Sequence, residues 1–203
     1  MKASVKVASL LFLLVLCSSM VYDAVDAASL EQGKPRGFYL NEIGVGSGYG
    51  WGRLKGEPVH LTAYPTFVRF GFNMNSLVGM ADHQSTLQLV FEPFLNSLAA
   101  PKTGIETGCS IGLRYLHPLS VSLDLFTEAS FAPMFLSIKS VEQGSAGFNF
   151  LDQLGAGLQY KVSERTAIFG GYRFRHISHA GLVERPNGGI NSNALVAGFT
   201  WLY

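Results

Sequence analysis

The property that most constrains this chain is a weak alternation of apolar and polar residues, repeated in segments of roughly ten residues that turn residues separate. Successive side chains of a β-strand point to opposite faces, so alternation with a period of two predicts strands. After residue 27 no segment has the roughly 18 consecutive apolar residues of a membrane-spanning helix, so any membrane integration would use strands. The predicted strands lie at about residues 37–51, 61–73, 85–95, 105–116, 121–131, 148–161, 166–178 and 193–203.

The charged residues of the predicted strands share one face. In the fourth predicted strand the odd positions are mainly apolar, whereas Glu106, Ser110 and Arg114 occupy even positions. The other strands show the same separation, so one face of the sheet is apolar and the other carries charges of both signs. The charged residues on the second face are Arg69, Glu92, Glu106, Arg114, Asp124, Glu128, Arg173 and Arg175.

Eight antiparallel strands can close into either of two kinds of barrel. A soluble lipocalin-like barrel has an apolar interior, whereas a membrane barrel has an apolar exterior. Only 14% of the residues are charged, and the last strand ends in the alternating aromatics Phe199, Trp201 and Tyr203, which resemble the assembly signal of bacterial outer-membrane proteins. The sequence therefore predicts an all-β fold, an eight-stranded antiparallel transmembrane β-barrel of the outer-membrane type, with a lumen filled by ion pairs.

The first 27 residues have the composition of an export signal. Lys2 and Lys6 form a positive segment, residues 7–16 an apolar core, and Val25 and Ala27 supply small residues before the expected cleavage site. The apolar core is shorter than the ~20 residues of a membrane anchor. We therefore expect a cleaved signal peptide at 1–27, a periplasmic N-terminal linker at 28–36 and the barrel at 37–203.

A possible nucleophile and a possible base lie at the end of the seventh predicted strand. His176 and Ser178 are two positions apart and therefore project to the same face, which also carries Tyr172 and Phe174. With both termini in the periplasm, the pair lies at the outer end of the strand and faces lipid. A serine hydroxyl needs a neighbouring imidazole to take its proton, and a third group to orient that imidazole. Taken alone, such a pair is more often a polar contact at the membrane interface.

The run at residues 175–193, RHISHAGLVERPNGGINSN, resembles the outer-membrane lipid A 3-O-deacylases of the PagL family. The resemblance rests on His-x-Ser-x-Ala-Gly-Leu, Pro-Asn and Gly-Ile, in that order before the last strand. It implies a barrel that removes an ester-linked acyl chain from the 3-position of lipid A through a Ser-His-Glu triad on its lipid-facing exterior. In this resemblance Ser178 is the nucleophile and His176 is the general base.

Two positions depart from the family pattern. The family's glutamate position falls on Asn191, which can orient the imidazole but carries no charge; Glu184, in the preceding loop, is the alternative third member. His179 follows the serine where the family typically has asparagine. The loop after the serine is the expected source of oxyanion donors, and the backbone N–H groups of His179 and Gly181 are independent of the side-chain change.

The remaining features set limits on partners and ligands. The net charge of +1, without a basic cluster, gives no indication of a nucleic-acid partner. His60, His83 and His117 lack metal-ligand spacing, so neither a metal nor another cofactor is expected. The expected partners are lipid A or lipopolysaccharide of the outer leaflet, the outer membrane of a Gram-negative bacterium and the barrel assembly machinery, and a homodimer is left open. The alternative function is a non-catalytic outer-membrane β-barrel with a structural or adhesion role.

Overall fold

The computed structural model describes residues 37–203, which form one antiparallel sheet of nine strands. The predicted signal peptide at 1–27 and linker at 28–36 lie outside the described residues. A short 3-10 helix, Asn75–Val78, lies between β3 and β4. The strands are β1 (Tyr39–Gly52), β2 (Leu61–Tyr64), β3 (Thr66–Asn73), β4 (Thr86–Ala100), β5 (Gly104–Pro118), β6 (Leu123–Leu136), β7 (Gly147–Ser163), β8 (Thr166–Ser178) and β9 (Ile190–Leu202).

The sheet closes into a barrel because β1 pairs with β9 along its length, from Glu42 opposite Leu202 to Gly52 opposite Ser192. Both β2 and β3 pair with β1 on one side and with β4 on the other, so they are two parts of one strand interrupted at Pro65. Proline has no N–H group to donate to a neighbouring strand, which explains the interruption there. The predicted eight-stranded antiparallel barrel is therefore confirmed.

Three of the predicted strand ends are wrong. β4 continues to Ala100 instead of ending near residue 95, and β6 continues to Leu136 instead of ending near residue 131. Within this extension, Pro133 stays in register opposite Phe150. β9 begins at Ile190 instead of residue 193, because residues 190–192 pair with the outer end of β8. Asn191 is thus part of a strand and its position is fixed by the sheet.

The lumen is filled by a network of ion pairs. Arginines from β3, β5 and β8 meet glutamates from β1, β4 and β6, and the side chains of Arg69, Arg114 and Glu42 are completely buried. Glu42 was not predicted, because the many glycines of β1 obscure its alternation. The closest N–O approaches are Arg69–Glu92 at 3.1 Å, Arg69–Glu128 at 3.5 Å, Arg69–Glu42 at 3.6 Å, Arg114–Glu42 at 2.6 Å, Arg114–Glu128 at 3.8 Å, Arg173–Glu92 at 2.6 Å and Arg173–Glu128 at 2.6 Å.

Aromatic rings pack beside these charges. Phe67 and Phe169 lie within the lumen, with the guanidinium carbon of Arg69 at 5.4 Å and 4.8 Å from their ring centres. Gly46 leaves the space they occupy, since a Cβ there would lie 2.4 Å from the ring of Phe67. The lumen is therefore packed with side chains, as expected for a barrel of eight strands.

The outer wall is apolar. Aliphatic and aromatic side chains project outward from every strand of the barrel and are exposed, which is the arrangement that a surrounding lipid bilayer stabilises. No helix within residues 37–203 is long and apolar enough to cross a membrane. Exposed apolar residues of this wall include Val45, Val68, Leu95, Ile111, Leu113, Phe131, Leu154, Leu158, Ile168, Tyr172, Phe174, Leu195 and Trp201.

The two rims of the barrel differ. Both ends of the described chain lie at one rim, together with the connections 74–85, 119–122 and 164–165. The opposite rim carries the connections 53–60, 101–103, 137–146 and 179–189 and is called the loop rim below. Three of the four long connections, 53–60, 137–146 and 179–189, lie at the loop rim, and the fourth, 74–85, lies at the opposite rim. Outer-membrane barrels keep most of their longer loops outside, so we expect the loop rim at the cell exterior.

Replacing Glu128 by glutamine should destabilise the barrel strongly. Its carboxylate lies 2.6 Å from Arg173, 3.5 Å from Arg69 and 3.8 Å from Arg114, and removing one partner of buried ion pairs costs about 3–5 kcal/mol. The measurement is urea-induced unfolding of the protein reconstituted in lipid vesicles. The matched control is Asp124→Asn, whose partner Lys161 is partly exposed, and which should cost about 1 kcal/mol or less. Equal losses in the two variants would contradict a stabilising role of the buried network.

Candidate active site

His176 and Ser178 lie on the outer wall at the end of β8, where the strand reaches the loop rim. Ile177, between them, points inward and is buried, so the two polar side chains share the outward face, as predicted. Cross-strand pairing fixes their neighbours: His176 lies opposite Asn191 of β9 on one side and Asp152 of β7 on the other, and Ser178 lies opposite Phe150. The site therefore spans three neighbouring strands.

Asn191 holds the imidazole of His176. The ring nitrogen Nδ1 of His176 lies 2.6 Å from the side-chain oxygen Oδ1 of Asn191. An amide oxygen only accepts hydrogen bonds, so Nδ1 carries the proton and donates it. The neutral ring then has its lone pair on Nε2, which is the tautomer that can take a proton from a hydroxyl group.

Gly189 packs against the same ring. Its φ of 70° is in the left-handed region, and a Cβ built on it would lie 2.7 Å from Cε1 of His176. A glycine is therefore needed on both conformational and steric grounds. The close approach of the backbone restricts the imidazole from the side of β9.

The loop after Ser178 starts with a tight turn. The backbone N–H of Leu182 donates to the carbonyl oxygen of His179 at 2.9 Å, and the two central residues, Ala180 and Gly181, have φ values of 51° and 74°. Positive φ at both central positions is the geometry of a type I′ turn, which is unusual for alanine. Gly181 lies exposed at this turn.

His179 points into the barrel and organises the loop. Its side chain is buried, and Nε2 lies 3.0 Å from the carbonyl oxygen of Pro186. The backbone N–H of His179 donates to Oδ1 of Asn187 at 2.9 Å. This N–H group, predicted as an oxyanion donor, is thus engaged within the loop, because the side chain of Asn187 folds back towards the end of β8.

The loop is also tied to the neighbouring loop, residues 137–146, and to the start of β7. The guanidinium group of Arg185 donates to the carbonyl oxygens of Ser145 and Phe148, and the N–H of Gly188 donates to the carbonyl oxygen of Glu142 at 2.7 Å. These bonds hold the segment that ends at Gly189. The position of the backbone over His176 therefore depends on both loops.

The predicted site residues are only partly brought together. Asn191, and not Glu184, bonds to His176; Glu184 is exposed in the loop. Ser178 is half-buried beside His176, and among residues 37–203 no hydrogen bond joins the two side chains. Catalytic hydrogen bonds are often long or poorly aligned before a substrate binds, so the lack of this bond does not exclude the pair.

The wall around the pair is apolar with a few polar groups. Phe150 stacks on Phe131 with ring centres 4.8 Å apart, next to Ser178. Below His176, the hydroxyl group of Tyr172 donates to Oδ1 of Asn193 at 2.5 Å. A hydroxyl, an oriented imidazole and an apolar surround suit acyl transfer on a substrate that lies in the membrane.

Sequence reasoning missed Asp152 and Phe150, the neighbours of the pair on β7. Each belongs to an alternating segment, but nothing in the local pattern shows which residue of β7 lies beside which residue of β8.

In the part of the chain that the structure describes, no group of three or more His, Cys, Asp or Glu residues could hold a metal ion.

Solved structures with the same fold include two that cover most of this chain. Neisserial surface protein A (NspA) is 13% identical, with a TM-score of 0.57, over 82% of this chain and 97% of that protein. The outer membrane enzyme PagL is 19% identical, with a TM-score of 0.55, over 77% of this chain and 97% of that enzyme. A search of curated protein sequences finds no match.

A model of one protein family matches the chain over residues 68–200, from β3 into β9. The matched region includes the strand that carries His176 and Ser178, the following loop and Asn191. Together with the closed sheet and its apolar wall, this match identifies a barrel of the Gram-negative outer membrane, as predicted. Because the match covers well over half of the sequence, the chain belongs to the lipid A 3-O-deacylase (PagL) family.

Proposed function

We propose that this chain is an ester hydrolase that removes the acyl chain from the 3-position of lipid A, using Ser178 as nucleophile and His176 as general base. The observation that carries the proposal is the bond between Nδ1 of His176 and Oδ1 of Asn191 at 2.6 Å. It leaves Nε2 able to take a proton, on the same outward face as Ser178. Membership of the PagL family supplies the substrate class.

The first half of the reaction transfers the acyl group to the enzyme. Nε2 of His176 takes the proton of the Ser178 hydroxyl as Oγ attacks the ester carbonyl carbon. The carbonyl π bond opens and its oxygen becomes an oxyanion. As the carbonyl re-forms, the bond to the sugar oxygen breaks, and His176 returns the proton to that oxygen. The products are a free 3-hydroxyl group on the sugar and an acyl group on Ser178.

The second half releases the fatty acid. Nε2 of His176 takes a proton from a water molecule, whose oxygen attacks the acyl carbon. The bond to Oγ of Ser178 then breaks, and the proton returns to that oxygen. Water at the loop rim, which lies at the membrane surface, is the source of this nucleophile. The reaction is a net hydrolysis, and the enzyme is unchanged at its end.

Asn191 is proposed as the orienting member of the site. Its amide oxygen fixes the tautomer of His176 in the same way as a carboxylate would, but it adds no negative charge opposite the imidazolium that forms in each half-reaction. Glu184 is not needed for this role in the arrangement described above.

The tight turn after Ser178 is the proposed source of oxyanion donors. Backbone N–H groups suit this role because they are held in place before the charge develops. Gly181 is exposed at the turn and stays a candidate donor. The N–H of His179 could contribute only after Asn187 releases it, since the two are bonded at 2.9 Å.

The location of the pair suits a substrate that enters sideways from the outer leaflet. Phe174, Leu154 and Leu195 are exposed on the wall on the periplasmic side of His176, where an acyl chain of a bound lipid would extend. The sugar of lipid A would then lie at the level of the loop rim. The ester at its 3-position falls between these two parts, which is the level of Ser178.

Replacing Ser178 by alanine should abolish the loss of the 3-linked acyl chain from lipid A. The measurement is mass spectrometry of lipid A from Gram-negative cells that express the parent chain or the variant, with expression and folding verified by heat-modifiable migration on gels. Lipid A lacking this chain with the parent, and intact lipid A with the variant, would support the proposal. Intact lipid A in both preparations would instead favour the non-catalytic barrel with a structural or adhesion role.

Replacing Gly189 by alanine should reduce the rate of acyl release by at least about tenfold. The new methyl group would lie 2.7 Å from Cε1 of His176 and would adopt a left-handed φ, so the ring or the loop has to move. The matched control is Gly188→Ala, whose Cβ meets Glu142 at an ordinary 3.4 Å. Full activity in Gly189→Ala would mean that the observed ring position is not the reactive one.

Asn191→Ala and Glu184→Gln distinguish the two candidates for the third member. Removing the partner of Nδ1 should lower kcat by about tenfold or more, since the reactive tautomer is no longer selected. Glu184→Gln should stay within about twofold of the parent, a range that surface substitutions rarely exceed. Loss of activity in Glu184→Gln alone would move the orienting role into the loop.

A further inference from the structure

Asp152 is an acidic residue on the outer wall, directly beside the histidine of the proposed site. It is paired with His176 in the register between β7 and β8, and it is exposed. Within the strands of residues 37–203, the other acidic side chains point into the lumen or lie at its rim. Residues directly opposite on neighbouring antiparallel strands have Cβ atoms about 4.5–5.5 Å apart. The two side chains therefore project side by side from the outer wall, and within residues 37–203 no ion pair or hydrogen bond joins them.

The position of this carboxylate on the lipid-facing wall needs an explanation, because it is energetically unfavourable. Acidic residues on the lipid face of an outer-membrane barrel destabilise it, by an amount that falls towards the interface. Asp152 takes part in none of the ion pairs found among residues 37–203. Its cross-strand neighbour on the other side is Phe131, which is apolar and exposed. The only group beside it that becomes charged during the proposed reaction is His176.

Asn191 and Asp152 flank His176 from opposite sides. Asn191 bonds to Nδ1 and selects the tautomer, but it is neutral. An imidazolium forms at His176 each time Nε2 takes a proton, and a nearby negative charge in a medium of low dielectric constant stabilises it. In a Ser-His-acid triad one carboxylate supplies both orientation and charge. Here the two roles fall on residues of two different strands.

We propose that Asp152 is a positioning residue that supplies, from β7, the negative charge that Asn191 does not supply from β9. The inference rests on the proposed hydrolase function and deepens it. Asp152 acts through His176 without touching the ester, so its removal should affect the chemical step more than binding. Asp152 would then carry the negative charge that the family pattern places at position 191, so the asparagine at that position is not a sign of lost activity.

Other charged groups near the end of β8 are less suited to this role. Arg185 is bonded to carbonyl oxygens of the neighbouring loop, and Arg175 points into the lumen, where it pairs with Glu106. Glu184 is exposed in the loop and does not lie in cross-strand register with His176. Asp152 is thus the acidic residue that the sheet itself holds beside the imidazole.

The test is a charge-relocation experiment on the purified, refolded full barrel. Release of the 3-linked fatty acid from lipid A in mixed detergent micelles gives kcat and KM for the parent, Asp152→Asn, Asn191→Glu and the double variant. We expect Asp152→Asn to lower kcat by about tenfold to a hundredfold with KM within about twofold. The double variant, which carries the carboxylate on β9, should recover most of the parent's kcat. Glu164→Gln, at an exposed turn of the opposite rim, is the control for removing one negative charge.

Each result has a separate meaning for the two proposals. Activity that Ser178→Ala abolishes but Asp152→Asn leaves within twofold would overturn the role of Asp152 and leave the hydrolase function standing. A rise in KM with unchanged kcat, or a double variant as slow as Asp152→Asn, would make Asp152 a substrate contact and overturn the inference. Activity that appears only in Asn191→Glu would show that β7 supplies no effective charge. A chain inactive in every form would overturn the proposed function itself.

Discussion

The structure depends on the burial of a network of charges of both signs inside a closed sheet. Closing eight strands leaves a lumen just wide enough for side chains, and the apolar wall is turned outward, so the lumen receives the polar faces of all strands. Arginines and glutamates there are stable only when each meets several partners. Glu128, for example, lies within 3.8 Å of arginines from three other strands. The network fixes which strand faces which.

That constraint is what positions the site on the exterior. Arg173 and Arg175 point inward and bind glutamates of the lumen, so the alternate positions 174, 176 and 178 of β8 point outward. His176 and Ser178 occupy two of these outward positions, next to Phe174. The rigid wall, rather than a flexible loop, therefore carries the candidate base and nucleophile, while the loop contributes Gly189 and the tight turn after Ser178. Acyl transfer needs this combination of fixed groups and a surface that a lipid can reach.

The sequence predicted the fold class, the number of strands and most of the inward charges. The prediction was wrong where the local sequence pattern disagreed with the pairing between strands. Residues 132–136, including Pro133, were left out of the predicted strand but belong to β6. Residues 190–192, which carry no clear alternation with the residues before them, extend β9. Glu42 was hidden among glycines. In each case pairing with a neighbouring strand overrode the local pattern, since backbone hydrogen bonds to that neighbour stabilise the extended conformation.

The sequence alone determined that His176 and Ser178 lie on the same face of their strand. Side chains alternate between the two faces with a period of two, and this alternation is a property of the local backbone. The resemblance to the PagL family added Asn191 as the expected partner of His176. Only the tertiary structure decided that Asp152 and Phe150 lie beside this pair, that His179 points inward, and that its N–H group is bonded to Asn187. Register between strands follows from the closure of the whole barrel and the packing of its lumen, and no short segment contains that information.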